Sequence, residues 1–188
     1  MSFELDSMVN SDPKIKEIYL KLQRSQTIAV IVVVALQLAR LLAVKLVEQE
    51  LAKRAKEPTQ WPACSGCGAK LGSKGNKSRQ LDTLIGRIFW SRRCGRCPNK
   101  CRIGQVAPLD QELGLLPNQK TCQSLKQMAC LLAVFVSYET AAILLTTLTG
   151  ITVSSSSIWN WVQVAGELAM ADIQQKIDAL SEGNLPET

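Results

Sequence analysis

Apolar positions recur along this chain in three rhythms, and each predicts a different kind of element. From Ile28 to Leu36 nine apolar residues follow one another without a break, inside a longer helical pattern that opens at Ser11-Asp12-Pro13 and runs to about Lys56. Around Gln80 to Ser91 the rhythm shifts to period two. Gln80-Leu-Asp-Thr-Leu84 and Arg87-Ile-Phe-Trp-Ser91 flank Ile85-Gly86, which predicts a β-hairpin with Leu81 and Thr83, or Ile88 and Trp90, sharing a face. After a loop from Pro108 to Pro117 the helical period returns. It predicts helices from Lys120 to about Val136, from Ser137-Tyr-Glu-Thr140 to Thr149, and from Ser154 to about Leu180. The two ends of the chain are polar. The expectation is a mainly α protein with a small β zinc ribbon. Its segments would be a long N-terminal helix (1–57), a zinc-ribbon module (58–107), and a helical, helix-turn-helix-like bundle (108–188).

The long first helix raises the question of a membrane. A span needs about 20 apolar residues. Here Gln37, Arg40 and Lys45 interrupt at helical spacing, and with Glu48 they can share one side. A packed or self-associating amphipathic helix is expected, with no membrane partner.

Between these helices the cysteines carry the most chemistry. Cys64-Ser-Gly-Cys67-Gly and Cys94-Gly-Arg-Cys97-Pro-Asn-Lys-Cys101 form two knuckles about thirty residues apart. Four thiolates are the usual shell of a structural zinc, and tetrahedral closure leaves no open position for catalysis. Cys64 and Cys67 make the first knuckle. The second is either Cys94/Cys97 or Cys97/Cys101. Cys94 continues the strand alternation, and Pro98 makes a turn that can fold Cys97 and Cys101 onto one ion, so the latter pair is preferred. Cys122 and Cys130 sit in an apolar helical stretch and read as core residues. An odd count of seven cysteines and knuckle spacing point to a reducing, cytoplasmic setting with one structural zinc rather than to disulfides.

Charge is concentrated in the same place. Residues 58–106 hold ten Lys/Arg against one acid, Asp82, a net +9, whereas the other residues hold twelve cations and fifteen acids. A clustered positive field attracts polyanions. Lys74, Lys77, Arg79, Arg92, Arg93 and Arg96 are therefore candidate phosphate contacts. The chain has no histidine, which excludes a Ser-His-Asp triad, an HExxH zinc site and a Cys2His2 finger. The acids outside the ribbon (Asp110, Glu112, Glu139, Glu167, Asp172, Asp178) show no two-metal arrangement and read as surface acids and caps.

Tyr138 to Thr149, then Gly150-Ile-Thr-Val153, then Ser154 onward gives helix, short turn with glycine, helix. Ala141 and Ala142 allow close approach, and Ile151, Val153, Ile158 and Val162 can close the core between the two helices. The second helix would then present Ser155, Ser156, Asn160 and Gln163, which can read base edges or bind phosphate near a helix N-terminus. Any αα-hairpin has a similar pattern; the neighbouring ribbon favours DNA.

Several separated motifs, in order, carry a resemblance. They are Leu71-Gly-Ser-Lys-Gly75, Arg79-Gln-Leu, Thr83-Leu-Ile-Gly86, Gly95-Arg-Cys-Pro98 and Ile103-Gly-Gln-Val-Ala-Pro-Leu-Asp110. Further on come Ala129-Cys-Leu-Leu-Ala-Val-Phe-Val136, Glu139-Thr-Ala-Ala142, Leu148-Thr-Gly150 and Ser157-Ile-Trp-Asn-Trp-Val-Gln163. Together they resemble the N-terminal region of the ISKra-type insertion-sequence transposases, common in cyanobacteria, over roughly residues 38 to 188. The resemblance implies a zinc-binding segment and a helix-turn-helix that precede an RNase H-like DDE domain, which carries strand transfer with divalent metal ions. It also implies that Cys97 and Cys101 match the second knuckle and that Cys94 is a departure. Since the chain stops at Thr188, where that domain would begin, it resembles a truncated or split transposase without catalysis.

The leading expectation is thus a nucleoid-associated fragment that binds double-stranded transposon-end DNA and is not itself an enzyme. Its partners would be that DNA, a second copy of itself, and a separately encoded catalytic chain. An active nuclease or recombinase would need the DDE domain from another chain. A zinc-ribbon regulator or assembly factor acting through the N-terminal helix is the alternative.

Overall fold

The computed structural model describes residues 12–181 with the exception of 103. The polar ends expected at 1–10 and 182–188 lie outside the described residues. It is mainly helical, with a two-stranded antiparallel sheet. The chain divides into two compact units, one up to Lys120 and one from Thr121.

The first unit begins with two helices where one was expected. Helix α1 spans Pro13–Arg24 and α2 spans Ile28–Arg54. The break falls at Ser25-Gln26-Thr27, and hydroxyl chemistry explains it. Ser25 adopts extended backbone and its Oγ donates to the Lys21 carbonyl at 2.8 Å. Thr27, also extended, accepts the Val30 N–H as the N-cap of α2. Ser and Thr compete for backbone groups in this way, and a helix ends where they win. The apolar pattern continues through the break, so periodicity alone did not reveal it. As a result α1 folds back along α2. Ile15 is buried against Leu38, with Ile18, Tyr19, Leu22, Leu41 and Leu42 around them. Asp12, the N-cap of α1, reaches Lys45 at 3.2 Å and locks the open end of this hairpin.

Strands β1 (Gly72–Thr83) and β2 (Gly86–Arg96) pair antiparallel through a two-residue connection, Leu84-Ile85. The hairpin is longer than the expected Gln80–Ser91 core. Leu81, Ile88, Trp90 and Cys94 are buried, following the period-two pattern along β2. Near the turn each open edge hydrogen-bonds outside the sheet, which blunts it as a template for aberrant pairing. On β2 the Phe89 N–H donates to Glu48 of α2 at 2.9 Å, and Val44 of α2 lies against Gly86. On β1 the Asp82 N–H donates to the Lys120 carbonyl at 2.8 Å. Helix α3 (Pro108–Glu112) replaces part of the expected loop, with Pro108 in its first turn.

The second unit is three helices: α4 (Gln123–Phe135), α5 (Tyr138–Thr149) and α6 (Ser155–Ser181). Helix α4 starts after Cys122, expected as a core residue within it; its Sγ instead caps the helix by accepting the Leu125 N–H at 3.4 Å. Ser137 accepts the Thr140 N–H, and Ser154 accepts the Ser157 N–H at 3.2 Å. Gly150 ends α5 in the left-handed region at φ 72°, a conformation that favours glycine. Leu125, Ala129, Ala141, Leu145, Ile151 and Ile158 are buried and form the centre of the unit. Thr149 is buried with them, its hydroxyl donating to the Leu145 carbonyl at 2.7 Å and accepting the Ile151 N–H at 3.1 Å. The remote half of α6, beyond Val162, is exposed almost throughout.

Candidate metal centre and basic surface

The four sulfurs of Cys64, Cys67, Cys97 and Cys101 lie within 4.8 Å of one another. Tetrahedral ligation at about 2.3 Å per Zn–S bond requires S···S edges of about 3.8 Å, so the quartet has the size of a metal shell. Of the two pairings open for the second knuckle, the structure brings Cys97 and Cys101 to the first knuckle. Cys94 stays buried in β2, its Sγ near the Arg92 carbonyl.

Local backbone chemistry aims these thiols. In the first knuckle the Cys64 N–H donates to the Ala69 carbonyl and the Gly68 N–H to the Cys64 carbonyl, both at 2.8 Å. The Gly66 N–H points at Cys64 Sγ at 3.4 Å. In the second, Lys100 takes φ 56° as the chain turns after Pro98. The Asn99 amide donates to Cys67 Sγ at 3.4 Å. Trp61, Leu71 and Val106 wall the cluster on its apolar side. Gly95 makes that wall possible. A Cβ there would sit inside the Trp61 ring and 3.0 Å from the Gly72 carbonyl oxygen.

The thiols do not titrate alike. Cys67 is lowered to about 6, first by the Ala69 backbone N–H and then by bonds from Cys97, Asn99 and Cys101. Cys101 is pushed up to about 12 by its bonds to Cys67 and Cys97 and by burial. One thiolate is thus stabilised by donors, while the last sulfur to ionise meets negative charge already in place. A divalent cation removes that conflict and draws all four into the thiolate form.

The basic residues separate into two groups. Lys74, Lys77, Arg93 and Arg96 are exposed. Arg79 and Arg92, expected among the phosphate contacts, are turned inward, with side chains only 8% and 14% exposed. Both pair with Asp110, at 2.6 Å from Arg79 Nη1 and 3.0 Å from Arg92 Nε. Arg79 also donates to the Leu116 and Gln119 carbonyls and lies over the Trp90 ring. Arg92 donates to the carbonyls of Lys77 and Ser78. Asp110, expected at the surface, is therefore the buried carboxylate that ties α3 to the hairpin. Arg93 borders a crevice lined also by Glu57 and Glu112, which reduces its pull on a phosphate.

On α6, Ser156, Asn160 and Gln163 are exposed and Ser155 is half-buried. Beside them Trp159 is 49% exposed, a residue that had no expected role. It shares a shallow pocket with Tyr138, Glu139, Ser155 and Ser156. Residues 121–181 carry two cations and four acids, so the chain's positive charge is concentrated in the first unit. No family model matches this chain, and no curated protein does either.

Proposed function

We propose that this chain is a zinc-stabilised DNA-binding protein, the end-recognising portion of an ISKra-type transposase, without catalytic chemistry of its own. The observation that supports it best is the four-sulfur cluster at the base of a hairpin that carries exposed Lys74, Lys77 and Arg96. An all-cysteine shell is complete without water or substrate, so its zinc would be structural. In so small a module, binding free energy of the ion becomes folding free energy.

In this reading the ribbon supplies affinity and the helical unit supplies choice. Lysine and arginine pair with any phosphate, which positions the protein on a duplex without selecting a sequence. The α5–turn–α6 arrangement would place Ser156, Asn160 and Gln163 at the edges of bases. The described residues offer no paired carboxylates on a sheet of the kind a DDE centre needs. In this reading a DDE domain would supply strand transfer.

The test is gel retardation of a transposon-end duplex and a scrambled duplex by the zinc-loaded protein, followed by chelation. Retardation of both at low salt, tighter for the transposon end and lost with zinc, is the expected result. No retardation at low salt would remove nucleic acid from the account. Magnesium-dependent nicking that disappears when one of the chain's own acids is changed would restore catalysis to it.

A further inference from the structure

Helix α2 has three sides. One packs on α1 through Leu38, Leu41 and Leu42, and one meets β2 through Val44 and Glu48. The third has no partner within the first unit among the described residues. It runs through Ala29, Val32, Leu36, Ala39, Ala43 and Leu46, at steps of three and four residues, the seam of a coiled coil. Ile28 (75% exposed), Val33, Leu36 (58%), Leu46 (55%) and Val47 widen it. With Val30 and Val32 these side chains leave on the order of 600 Å² of apolar surface in water, more than a monomer ordinarily tolerates and close to one side of a standard interface.

Length and composition alone would let α2 cross a membrane. Its neighbour argues otherwise. α1 packs along the same stretch and carries Lys14, Lys16, Glu17, Lys21 and Arg24, charges that a bilayer core would strip of water.

We propose that this face binds the same face of a second copy of the chain, with the two α2 helices antiparallel about a two-fold axis between Leu36 and Ala39. The order of side-chain sizes selects that arrangement. Laid antiparallel, Leu36 faces Ala39 of the other copy, Val32 faces Ala43, and Ala29 faces Leu46. Every layer pairs a larger residue with alanine, so the layers interdigitate and the helices approach closely. Laid parallel, Ala39 faces Ala39 and Ala43 faces Ala43, which leaves a void between crowded layers at Leu36 and Leu46.

Sedimentation equilibrium on the full zinc-loaded chain tests this. The wild type should be dimeric at micromolar concentration. Leu36→Glu and Ala39→Lys should each raise the dissociation constant by roughly 100-fold or more, with unchanged helical circular dichroism and zinc content. Mixed together, those two variants should associate again, because residue 36 of one chain faces residue 39 of the other. A monomeric wild type, or a dimer indifferent to both substitutions, would overturn the proposal. So would recovery by a Leu36→Glu and Leu36→Lys mixture in place of the 36/39 mixture, since that is the parallel signature. Recovery of the wild type only with detergent or vesicles would assign the face to lipid instead.

Discussion

Replacing Asp110 by asparagine should destabilise the first unit more than any comparable surface change. Asp110 accepts from Arg79 Nη1 at 2.6 Å and from Arg92 Nε at 3.0 Å, and all three side chains are mostly buried. Asparagine keeps the shape but not the charge, and leaves two guanidinium groups facing each other without a counterion. Breaking a buried ion pair from one side costs about 3–5 kcal/mol. The surrounding carbonyls that Arg79 and Arg92 also engage place this case at about 3 kcal/mol. With a urea m-value of about 1–3 kcal/mol/M, the unfolding midpoint should fall by about 1–3 M. The assay is urea unfolding of zinc-saturated protein followed by tryptophan fluorescence, in a Trp159→Phe, Trp161→Phe background, so that Trp61 and Trp90 report on this unit. Asp82→Asn is the control. It breaks the pair with Arg87, whose side chain is 46% exposed, and should cost under about 1 kcal/mol. Equal midpoints for Asp110→Asn and Asp82→Asn would show that the buried network contributes no more than a surface pair.

Cys64→Ser, Cys67→Ser, Cys97→Ser and Cys101→Ser should each weaken zinc binding, measured by competition with a chromophoric chelator. Cys94→Ser should leave affinity near that of the wild type, and the reverse order between Cys94 and Cys101 would refute the quartet. In the metal-free protein Cys67 titrates below its ordinary value, so the stability its thiolate contributes is present above that ordinary value and lost as pH falls toward about 6. Zinc needs all four thiolates, including Cys101, which is pushed up to about 12 without metal, so zinc affinity measured by chelator competition should fall as the pH is lowered; an affinity independent of pH would contradict this. With Lys74, Lys77, Arg96 and Lys100 as the phosphate contacts, log affinity for duplex DNA should fall with log salt at a slope of about −3.6. Lys74→Gln should reduce that slope by about 0.9, while Arg79→Gln should lower stability and leave the slope unchanged. Asn160→Ala or Gln163→Ala should cost about 1–3 kcal/mol on the transposon-end duplex and little on a scrambled one. Equal losses on both duplexes would reduce α6 to scaffold.

Local chemistry was legible in the chain, and long-range pairing was not. The knuckle at Cys64 and Cys67, the turn after Pro98, the hairpin, whose turn lies at Leu84-Ile85, one residue before the expected Ile85-Gly86, and the caps at Ser137, Gly150 and Ser154 are each set by residues within a few positions of one another. The break at Ser25-Gln26-Thr27 was local too, but the apolar period runs straight through it, and the hydroxyls that decide it make a weak signal beside nine consecutive apolar residues. Arg79 and Arg92 were misplaced for a different reason. In a segment of net +9, nothing marks two arginines out from the other eight cations. Their partner Asp110 lies 31 and 18 residues away, in a helix of five residues.

That misplacement changes how the charge of the ribbon should be understood. A cluster of ten cations suggests one continuous field, yet the structure divides it. Arg79 and Arg92 neutralise and orient Asp110, Arg87 is held by Asp82 at 2.6 Å, and Arg93 stands near two acids. What remains outward lies along the hairpin's far strand ends and around the two knuckles: Lys70, Lys74, Lys77, Arg96, Lys100 and Arg102. Arg96, Lys100 and Arg102 are held by the same cysteines that close on the metal, since Arg96 precedes Cys97 and Lys100 and Arg102 flank Cys101. Loss of the ion would therefore unfasten the backbone that carries the cations, and in this protein metal release and loss of polyanion affinity should be one event rather than two.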